Sequence, residues 1–129
     1  MTEEHPNAAL TRRVFGAFGK DAMQISAALS RDIVWRVPGS TVMSGEYHGR
    51  REVVAFLQST GLETNGTYRS ELHTVLANDE WGLAVYRAVR SRNGMDLDIE
   101  QAFVIRFEDG RWKEVTAVPL DVAFDAFWA

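Results

Sequence analysis

The length of 129 residues allows one domain with a buried core but not two, so we predict a single domain over residues 1–129. Hydrophobic residues make up 46% of the chain and charged residues 25%, which is the composition of a globular protein. The net charge of −4, with acids and bases interspersed, excludes the basic stripe that a nucleic-acid-binding surface needs. Because cysteine is absent, disulfide bonds and thiolate zinc sites are excluded as well.

Neither a membrane span nor a secretory signal is predicted. No apolar run approaches the roughly 18 residues that a membrane-spanning helix requires. The N-terminal residues are acidic and then basic, without the apolar centre of a signal peptide. We therefore expect a cytoplasmic protein with no membrane or nucleic-acid partner.

The N-terminal half predicts three helices and one strand. Apolar residues recur at helical spacing within residues 10–18, which predicts the first helix, and Asp21 can cap a short second helix. Residues 32–39 alternate and are rich in β-forming side chains, so they predict a strand. A polar turn over residues 44–49, whose last residue is a glycine with an unusual backbone, precedes a third helix from Arg50.

The C-terminal half changes to a period of two, which is typical of strands with one buried face. Pairs of Asn, Asp and Gly separate the alternating segments and suit tight hairpin turns, because Asn and Gly tolerate positive φ. The last residues predict a final helical turn that packs Phe124, Phe127 and Trp128 onto the sheet. The predicted strands cover residues 67–77, 81–92, 96–108 and 111–118, with turns at 78–79, 93–94 and 109–110.

Helices followed by a long meander predict an α+β fold, with the helices of the N-terminal half on the concave face of a curved antiparallel sheet. Such a sheet and its helices enclose a cone. The mouth of a cone is a natural pocket for a small molecule.

Two short motifs and the order of the elements carry a resemblance to a known superfamily. The motif YHGRREVVAF follows the first strand, and RFEDGRW spans a late hairpin. With them the chain resembles the nuclear transport factor 2-like superfamily, in particular its SnoaL-like (polyketide cyclase) and ketosteroid isomerase-like members. The resemblance covers nearly the whole chain and implies a cystatin-like α+β barrel. It does not imply one activity, because the superfamily includes isomerases, cyclases, epoxide hydrolases, dehydratases and proteins without catalysis.

Most catalytic positions that the resemblance implies have lost their chemistry. Val37 stands where ketosteroid isomerases have their general base, and Phe15 is the nearest match to their oxyanion-binding tyrosine. Ala117 is the closest match to the acidic base of SnoaL-type cyclases. Glu100 alone retains the expected functional group, since it matches a carboxylic acid of ketosteroid isomerases that an apolar site keeps protonated. Neither mechanism therefore transfers intact.

Glu100 and Asp98 are the candidate catalytic residues. In an apolar cone the pKa of Glu100 would rise, which would make it an acid or base near neutral pH, and Asp98 would form a carboxylate pair with it. The alternation of the strand argues for a solvated position instead, because Ile99 and Phe103 look core-facing and would put Glu100 outside. A β-bulge that shifts the phase, or an outer face that is an apolar dimer surface, would reconcile the two.

The candidate ligand-binding residues are predicted to face the cone. Trp35 predicts an apolar wall with one indole donor, and the resemblance places Tyr86 and Arg90 at inward positions. Arg90 would pair with Glu100 or hold an anionic ligand, and His73 is a candidate proton shuttle. A purely structural role is the alternative for these residues. The predicted set is Phe15, Trp35, Val37, Phe56, His73, Tyr86, Arg90, Val115 and Ala117.

Two functions stay open at the level of sequence. The first is an acid–base enzyme of isomerase, cyclase or epoxide hydrolase type on an apolar small molecule, with Glu100 as acid or base; an epoxide hydrolase-type relay would need Asp98, Arg90 and Glu100 to point inward together. The second is a non-catalytic ligand-binding or dimerisation module, which the missing catalytic groups favour. No cofactor is implied, because no phosphate loop or flavin motif is present, and the scattered histidines predict no metal site. The resemblance also implies a homodimer through the open face of the sheet.

Overall fold

Three helices and two strands precede a run of four consecutive strands and a short C-terminal helix. The computed structural model describes residues 4–64, 66–121 and 123–128, without the side chains of residues 125 and 126. The helices are α1 (Pro6–Ala17), α2 (Ala22–Ala28), α3 (Gly49–Glu63) and α4 (Ala123–Phe127). The strands are β1 (Leu29–Val37), β2 (Gly45–His48), β3 (Arg69–Ala77), β4 (Trp81–Arg92), β5 (Met95–Glu108) and β6 (Arg111–Pro119). None of the helices within these ranges combines the length and the hydropathy that crossing a bilayer requires.

Side chains cap the first two helices. His5 Nδ1 accepts a hydrogen bond from the Asn7 amide at 3.0 Å, and Pro6 occupies the first turn, where its missing N–H breaks no intrahelical bond. The Asp21 carboxylate accepts a hydrogen bond from the Gln24 amide, also at 3.0 Å. The predicted cap of the second helix is therefore confirmed.

The six strands form an open sheet in the order β2-β1-β6-β5-β4-β3. Neighbouring strands are antiparallel, except that β1 and β6 are parallel. The predicted turns at residues 93–94 and 109–110 are confirmed, because Asn93, Gly94, Asp109 and Gly110 have φ values of 51°, 76°, 52° and 72°. The predicted α+β fold with a curved sheet is confirmed as well, and the sheet does not close into a full barrel.

The segment predicted as a polar turn contains the edge strand β2. Trp35 of β1 lies opposite Tyr47, and Val37 lies opposite Gly45. The sequence pattern does not indicate this strand, because most of its side chains are exposed at the edge of the sheet and none has to alternate with a buried neighbour. Gly49, at φ 83°, then turns the chain into α3, which confirms the unusual backbone predicted there.

The helices cover one face of the sheet, which we call the inner face; the opposite face is the outer face. Every second side chain of β5 is buried on the inner face, and the short helix α4 packs against the same strand. The core therefore lies between the sheet and the helices. The buried side chains of β5 on this face are Leu97, Ile99, Gln101, Phe103, Ile105 and Phe107.

Candidate ligand-binding cavity

A cavity of about 1300 Å³ lies between the inner face of the sheet and the helices. Its lining comes from the four helices α1–α4 and from five strands, β1 and β3–β6. The exposed lining residues Lys20, Leu62 and Arg69 mark its opening to solvent. A space of this size accommodates an organic molecule of drug-like dimensions.

Aromatic rings in edge-to-face or tilted contact form one wall of the cavity, here called the aromatic wall. The centroid of the Phe103 ring lies 5.1 Å from that of Trp35 and 5.6 Å from that of Phe15, and Trp35 lies 6.2 Å from Phe56. Tyr86 extends the wall, with its centroid 5.0 Å from those of Phe15 and Phe103. Because such rings pack in preferred geometries and bury large areas, the wall is a preformed apolar surface.

Next to the aromatic wall lies a group of polar side chains centred on Arg90, which is 4% exposed. Its Nη2 donates a hydrogen bond to Gln101 Oε1, and its guanidinium lies 4.3 Å from the ring centroid of Tyr68 and 5.3 Å from that of Trp128. A neutral amide and ring faces therefore surround this cation. We call the group the polar cluster; its members are Tyr68, Ser70, Tyr86, Arg90, Gln101 and Trp128.

The polar cluster has an excess of hydrogen-bond donors. Within the described part of the chain, Arg90 forms no ion pair, and three buried atoms lack a hydrogen-bond partner: Arg90 Nε, Trp128 Nε1 and Ser70 Oγ. The arginine and indole nitrogens act only as hydrogen-bond donors, and the serine hydroxyl can also donate a hydrogen bond. Since buried polar groups are almost always paired in folded proteins, these atoms mark a place where an acceptor from outside the chain would be stabilised.

Tyr86 adds a neutral phenol to the cluster. Burial raises the pKa of Tyr86 well above that of an exposed tyrosine; the neighbouring Tyr68 raises it further, whereas the charge of Arg90 lowers it. The group therefore keeps its proton throughout the physiological pH range. A protonated phenol can donate a hydrogen bond to a ligand oxygen.

Seven of the nine predicted ligand-binding residues line the cavity, and two do not. Val115 is fully buried in the core between Trp35 and Ile105, its partners in register on β1 and β5, so its predicted position in the cavity wall is wrong. His73 lies on the outer face with its side chain 39% exposed, so its predicted position is wrong as well. The residues that do line the cavity are Phe15, Trp35, Val37, Phe56, Tyr86, Arg90 and Ala117.

Glu100 and Asp98 also lie on the outer face, so their predicted position in the cavity is wrong. Their side chains are 45% and 52% exposed, and neither lines the cavity. The register between β4 and β5 is continuous, and the one irregularity between β5 and β6 falls between Arg106 and Phe107, well beyond Glu100. No bulge therefore turns Glu100 inward.

The two carboxylates contact polar side chains on the outer face. Asp98 accepts hydrogen bonds from Arg87 at 2.7 and 2.5 Å, and these lower the pKa of Asp98. Glu100 Oε2 lies 3.2 Å from Nδ1 of His73, at the point where the register of β3 against β4 shifts. An epoxide hydrolase-type relay of Asp98, Arg90 and Glu100 is not assembled, because the arginine lies on the opposite face of the sheet.

Gln101 is the cavity residue that sequence analysis missed most plainly. It follows Glu100 directly, and the alternation of its apolar neighbours places it on the inner face. Tyr68 and Trp128 line the cavity as well. Tyr68 lies in the predicted strand 67–77 but precedes the observed strand β3, and Trp128 is predicted only to pack onto the sheet.

The described lining side chains include no Asp, Glu or His. In their ordinary protonation states the titratable lining groups all donate hydrogen bonds to oxygen atoms. Over the described ranges, moreover, no three His, Cys, Asp or Glu side chains are grouped as metal ligands. The titratable lining residues are Lys20, Tyr68, Arg69, Tyr86 and Arg90.

An open curved sheet whose helices enclose a largely apolar cavity defines the class of cystatin-like, or nuclear transport factor 2-like, α+β proteins. Residues 11–115 match the SnoaL-like domain, and the chain belongs to that family. A relative in Mycobacterium tuberculosis, the uncharacterized protein Rv0034, is 34% identical over 123 residues, which are 93% of this chain and 94% of the relative.

Solved structures agree with this assignment. Bal32a, from a soil-derived mobile gene cassette, is 29% identical, with a TM-score of 0.91 over 96% of this chain and 97% of Bal32a. A putative ketosteroid isomerase from Kribbella flavida shares the fold alone, with 20% identity and a TM-score of 0.73 over 95% of this chain and 83% of that one. The predicted resemblance to SnoaL-like and ketosteroid isomerase-like proteins is thus confirmed.

Proposed function

We propose that this SnoaL-like protein binds a small, largely apolar organic molecule in the cavity. The observation that carries the proposal is the aromatic wall, which borders about 1300 Å³ of space that the chain itself does not fill. Protein interiors are normally packed as densely as organic crystals, and apolar voids destabilise them. A large apolar cavity with an opening to solvent is therefore best explained as a binding site.

Filling the cavity with a side chain tests the proposal. Ala117 is buried and lines the cavity, so Ala117→Trp should occupy ligand space, whereas Leu120→Trp adds the same ring at a position that is 56% exposed and outside the lining. In titrations with the neutral dye Nile red, we expect Ala117→Trp to weaken binding about tenfold or more and Leu120→Trp to leave it unchanged. Equal binding by both variants would show that the dye sits elsewhere and would contradict the proposal.

A second candidate function is acid–base catalysis on the bound molecule. It is favoured by the neutral phenol of Tyr86 beside the cation of Arg90, because a donor and a cation in a buried site stabilise an oxygen that gains negative charge. The roles of Glu100 and Asp98 as acid and base stay predictions from the sequence. We do not place them in this chemistry, since both lie across the sheet from the cavity.

Tyr86→Phe separates the two functions, because it keeps the ring in the aromatic wall and removes only the hydroxyl. The molecules that co-purify with the wild type and with Tyr86→Phe would be extracted and identified by mass spectrometry. An enzyme that uses Tyr86 should carry chemically different molecules in the two forms, substrate accumulating in the variant. A binding protein should carry the same molecule in both, and Glu100→Gln should not change it.

We further propose that two copies pair through the outer face. Leu76, Leu83 and Val104 lie opposite one another on β3, β4 and β5 and are 62%, 36% and 39% exposed. The ion pair of Arg87 with Asp98 and the carboxylate of Glu100 lie on the same face, so charges of both signs accompany this apolar row. Such a surface can pair with itself around a two-fold axis.

A further inference from the structure

The ionised side chains of the cavity have one sign. The chain as a whole carries a net charge of −4, yet the ionised side chains among the described lining residues are all cationic: Lys20, Arg69 and Arg90. Lys20 and Arg69 are exposed at the opening, and Arg90 is buried in the polar cluster. From this pattern, and resting on the binding function proposed above, we infer that the bound molecule is an apolar organic acid whose carboxylate is held at Arg90.

The burial of Arg90 supports a charged partner rather than a neutral one. A buried cation loses its hydration and is normally compensated by a carboxylate, but within the described part of the chain Arg90 has only the Gln101 amide and ring faces around it. These contacts compensate part of the charge. An anion brought into this low-dielectric site would interact with Arg90 far more strongly than at the protein surface.

The count of unpaired donors supports a carboxylate over a carbonyl. Arg90 Nε, Trp128 Nε1 and Ser70 Oγ lack partners among the described residues, and Tyr86 keeps its proton beside them. A carbonyl oxygen offers about two lone-pair sites, whereas a carboxylate offers about four. A carboxylate therefore has enough acceptor sites for the three unpaired donors, whereas a single carbonyl oxygen would leave one of them unpaired.

The carboxylate must displace a ring to reach these donors. The three unpaired atoms are themselves almost inaccessible, so the approach to Arg90 is covered in the free protein. The Trp128 indole lines the cavity and lies 5.3 Å from the guanidinium, which makes it the ring whose N–H would turn toward the ligand. Binding of an organic acid should therefore change the fluorescence of Trp128.

The test compares 2-naphthoate with its uncharged isostere 2-naphthamide by titration calorimetry. The variants are Arg90→Gln and, as a matched control on the outer face of the same strand, Arg87→Gln. For the wild type and the control we expect the carboxylate to bind about 30-fold more tightly than the amide, since charge-assisted hydrogen bonds to a buried arginine distinguish them. For Arg90→Gln we expect this preference to fall to about threefold or less.

The outcomes separate the inference from the function on which it rests. If the wild type binds both probes equally, or if Arg90→Gln keeps the preference, the cavity binds ligands but the carboxylate assignment is wrong. If neither probe binds to the wild type, the proposed binding function fails together with the inference. High salt should leave the preference in place, because Arg90 is buried, whereas attraction by Lys20 and Arg69 alone would be screened.

Trp128→Phe keeps the inference testable even if Arg90→Gln does not fold. This change keeps an aromatic ring against the guanidinium and removes only the indole N–H. We expect this change to lower the affinity for 2-naphthoate about threefold to tenfold and to leave the affinity for 2-naphthamide unchanged. An unchanged affinity for 2-naphthoate would exclude Trp128 as a ligand donor and overturn the assignment of the cluster as a carboxylate site.

Discussion

The contact between Arg90 and Gln101 predicts a strong energetic coupling between two adjacent strands. Both residues are nearly inaccessible, at 4% and 3% exposed, and the guanidinium donates to the amide oxygen. Arg90→Met removes the charge and keeps a long flexible chain, and Gln101→Leu removes the acceptor and keeps the shape of the side chain. The two single variants and the double variant complete a cycle.

The expected magnitudes follow from which group each variant leaves unpaired. Gln101→Leu leaves a buried guanidinium nitrogen without its acceptor, and hydrogen bonds to charged groups contribute about 1.5–3 kcal/mol, so we expect a loss of about 2–3 kcal/mol. Arg90→Met leaves the buried amide unpaired, at a cost of about 1–2 kcal/mol. The double variant leaves neither group unpaired and should be as stable as the wild type or about 1 kcal/mol more stable. The coupling free energy is then about 3 kcal/mol or more.

Urea denaturation followed by far-UV circular dichroism measures the cycle. For a chain of 129 residues, 1 kcal/mol corresponds to about 4 °C in Tm, so thermal melts provide a second readout. The matched control is Arg87→Met with Asp98→Leu, a pair with the same sequence separation on the same two strands but on the exposed outer face. Its coupling should be much weaker, because water and salt screen exposed ion pairs. Single effects at Arg90 and Gln101 that simply add would refute the reasoning.

Three further predictions concern packing, pH and assembly. Gly82→Ala should lower the free energy of unfolding by about 1–3 kcal/mol, because a β-carbon there would lie 2.6 Å from Cε2 of the buried Phe107 ring. In the control Gly61→Ala the added β-carbon meets no atom within 4 Å, so thermal melts should show a neutral or slightly stabilising effect. Because the pKa of Tyr86 is raised in the fold, its contribution to stability is complete below about pH 10, the unfolded value, and declines as the pH rises above it. Tyr86→Phe should therefore reduce the loss of Tm in alkaline buffer, and identical pH profiles would contradict this. Val104→Asp should convert the proposed dimer to a monomer in sedimentation velocity, whereas a wild type that is already monomeric when dilute would exclude the dimer.

The strands of the C-terminal half are the part of the fold that the sequence predicts best. Turn residues with positive φ fix where β4 ends, where β5 begins and ends and where β6 begins, and alternation fixes the faces of these strands. The predicted bounds differ from the observed ones by no more than about two residues. The prediction that Glu100 faces the cavity is wrong because it follows the family resemblance, whereas the alternation of the strand places this side chain on the outer face. A step of one residue along a strand reverses the face, and Gln101 occupies the inward position instead.

The polar cluster is the part that the sequence could not predict as a unit. Tyr68 precedes β3, Arg90 lies near the end of β4, and Trp128 follows α4, so their proximity depends on how three remote segments meet. None of the three belongs to a motif with a fixed spacing, and single polar residues give no periodic signal. Their shared location becomes apparent only from the packed structure.

The composition of the cavity and the energetics of Arg90 both indicate that the cavity binds an anion. The positions where the resemblance implies a catalytic base, Val37 and Ala117, hold apolar side chains that line the cavity. A residue whose burial destabilises the free protein is usually kept for function, because selection for stability alone would replace it. Arg90 is a candidate for such a residue, since an apolar side chain at its position, with Leu at Gln101, would remove the buried guanidinium together with the amide that it contacts and leave neither of these two groups unpaired. The cavity therefore contains a buried cation and, among its described lining residues, no carboxylate or imidazole base, which suits it to hold an anion that carries an apolar body more than to remove a proton from a ligand.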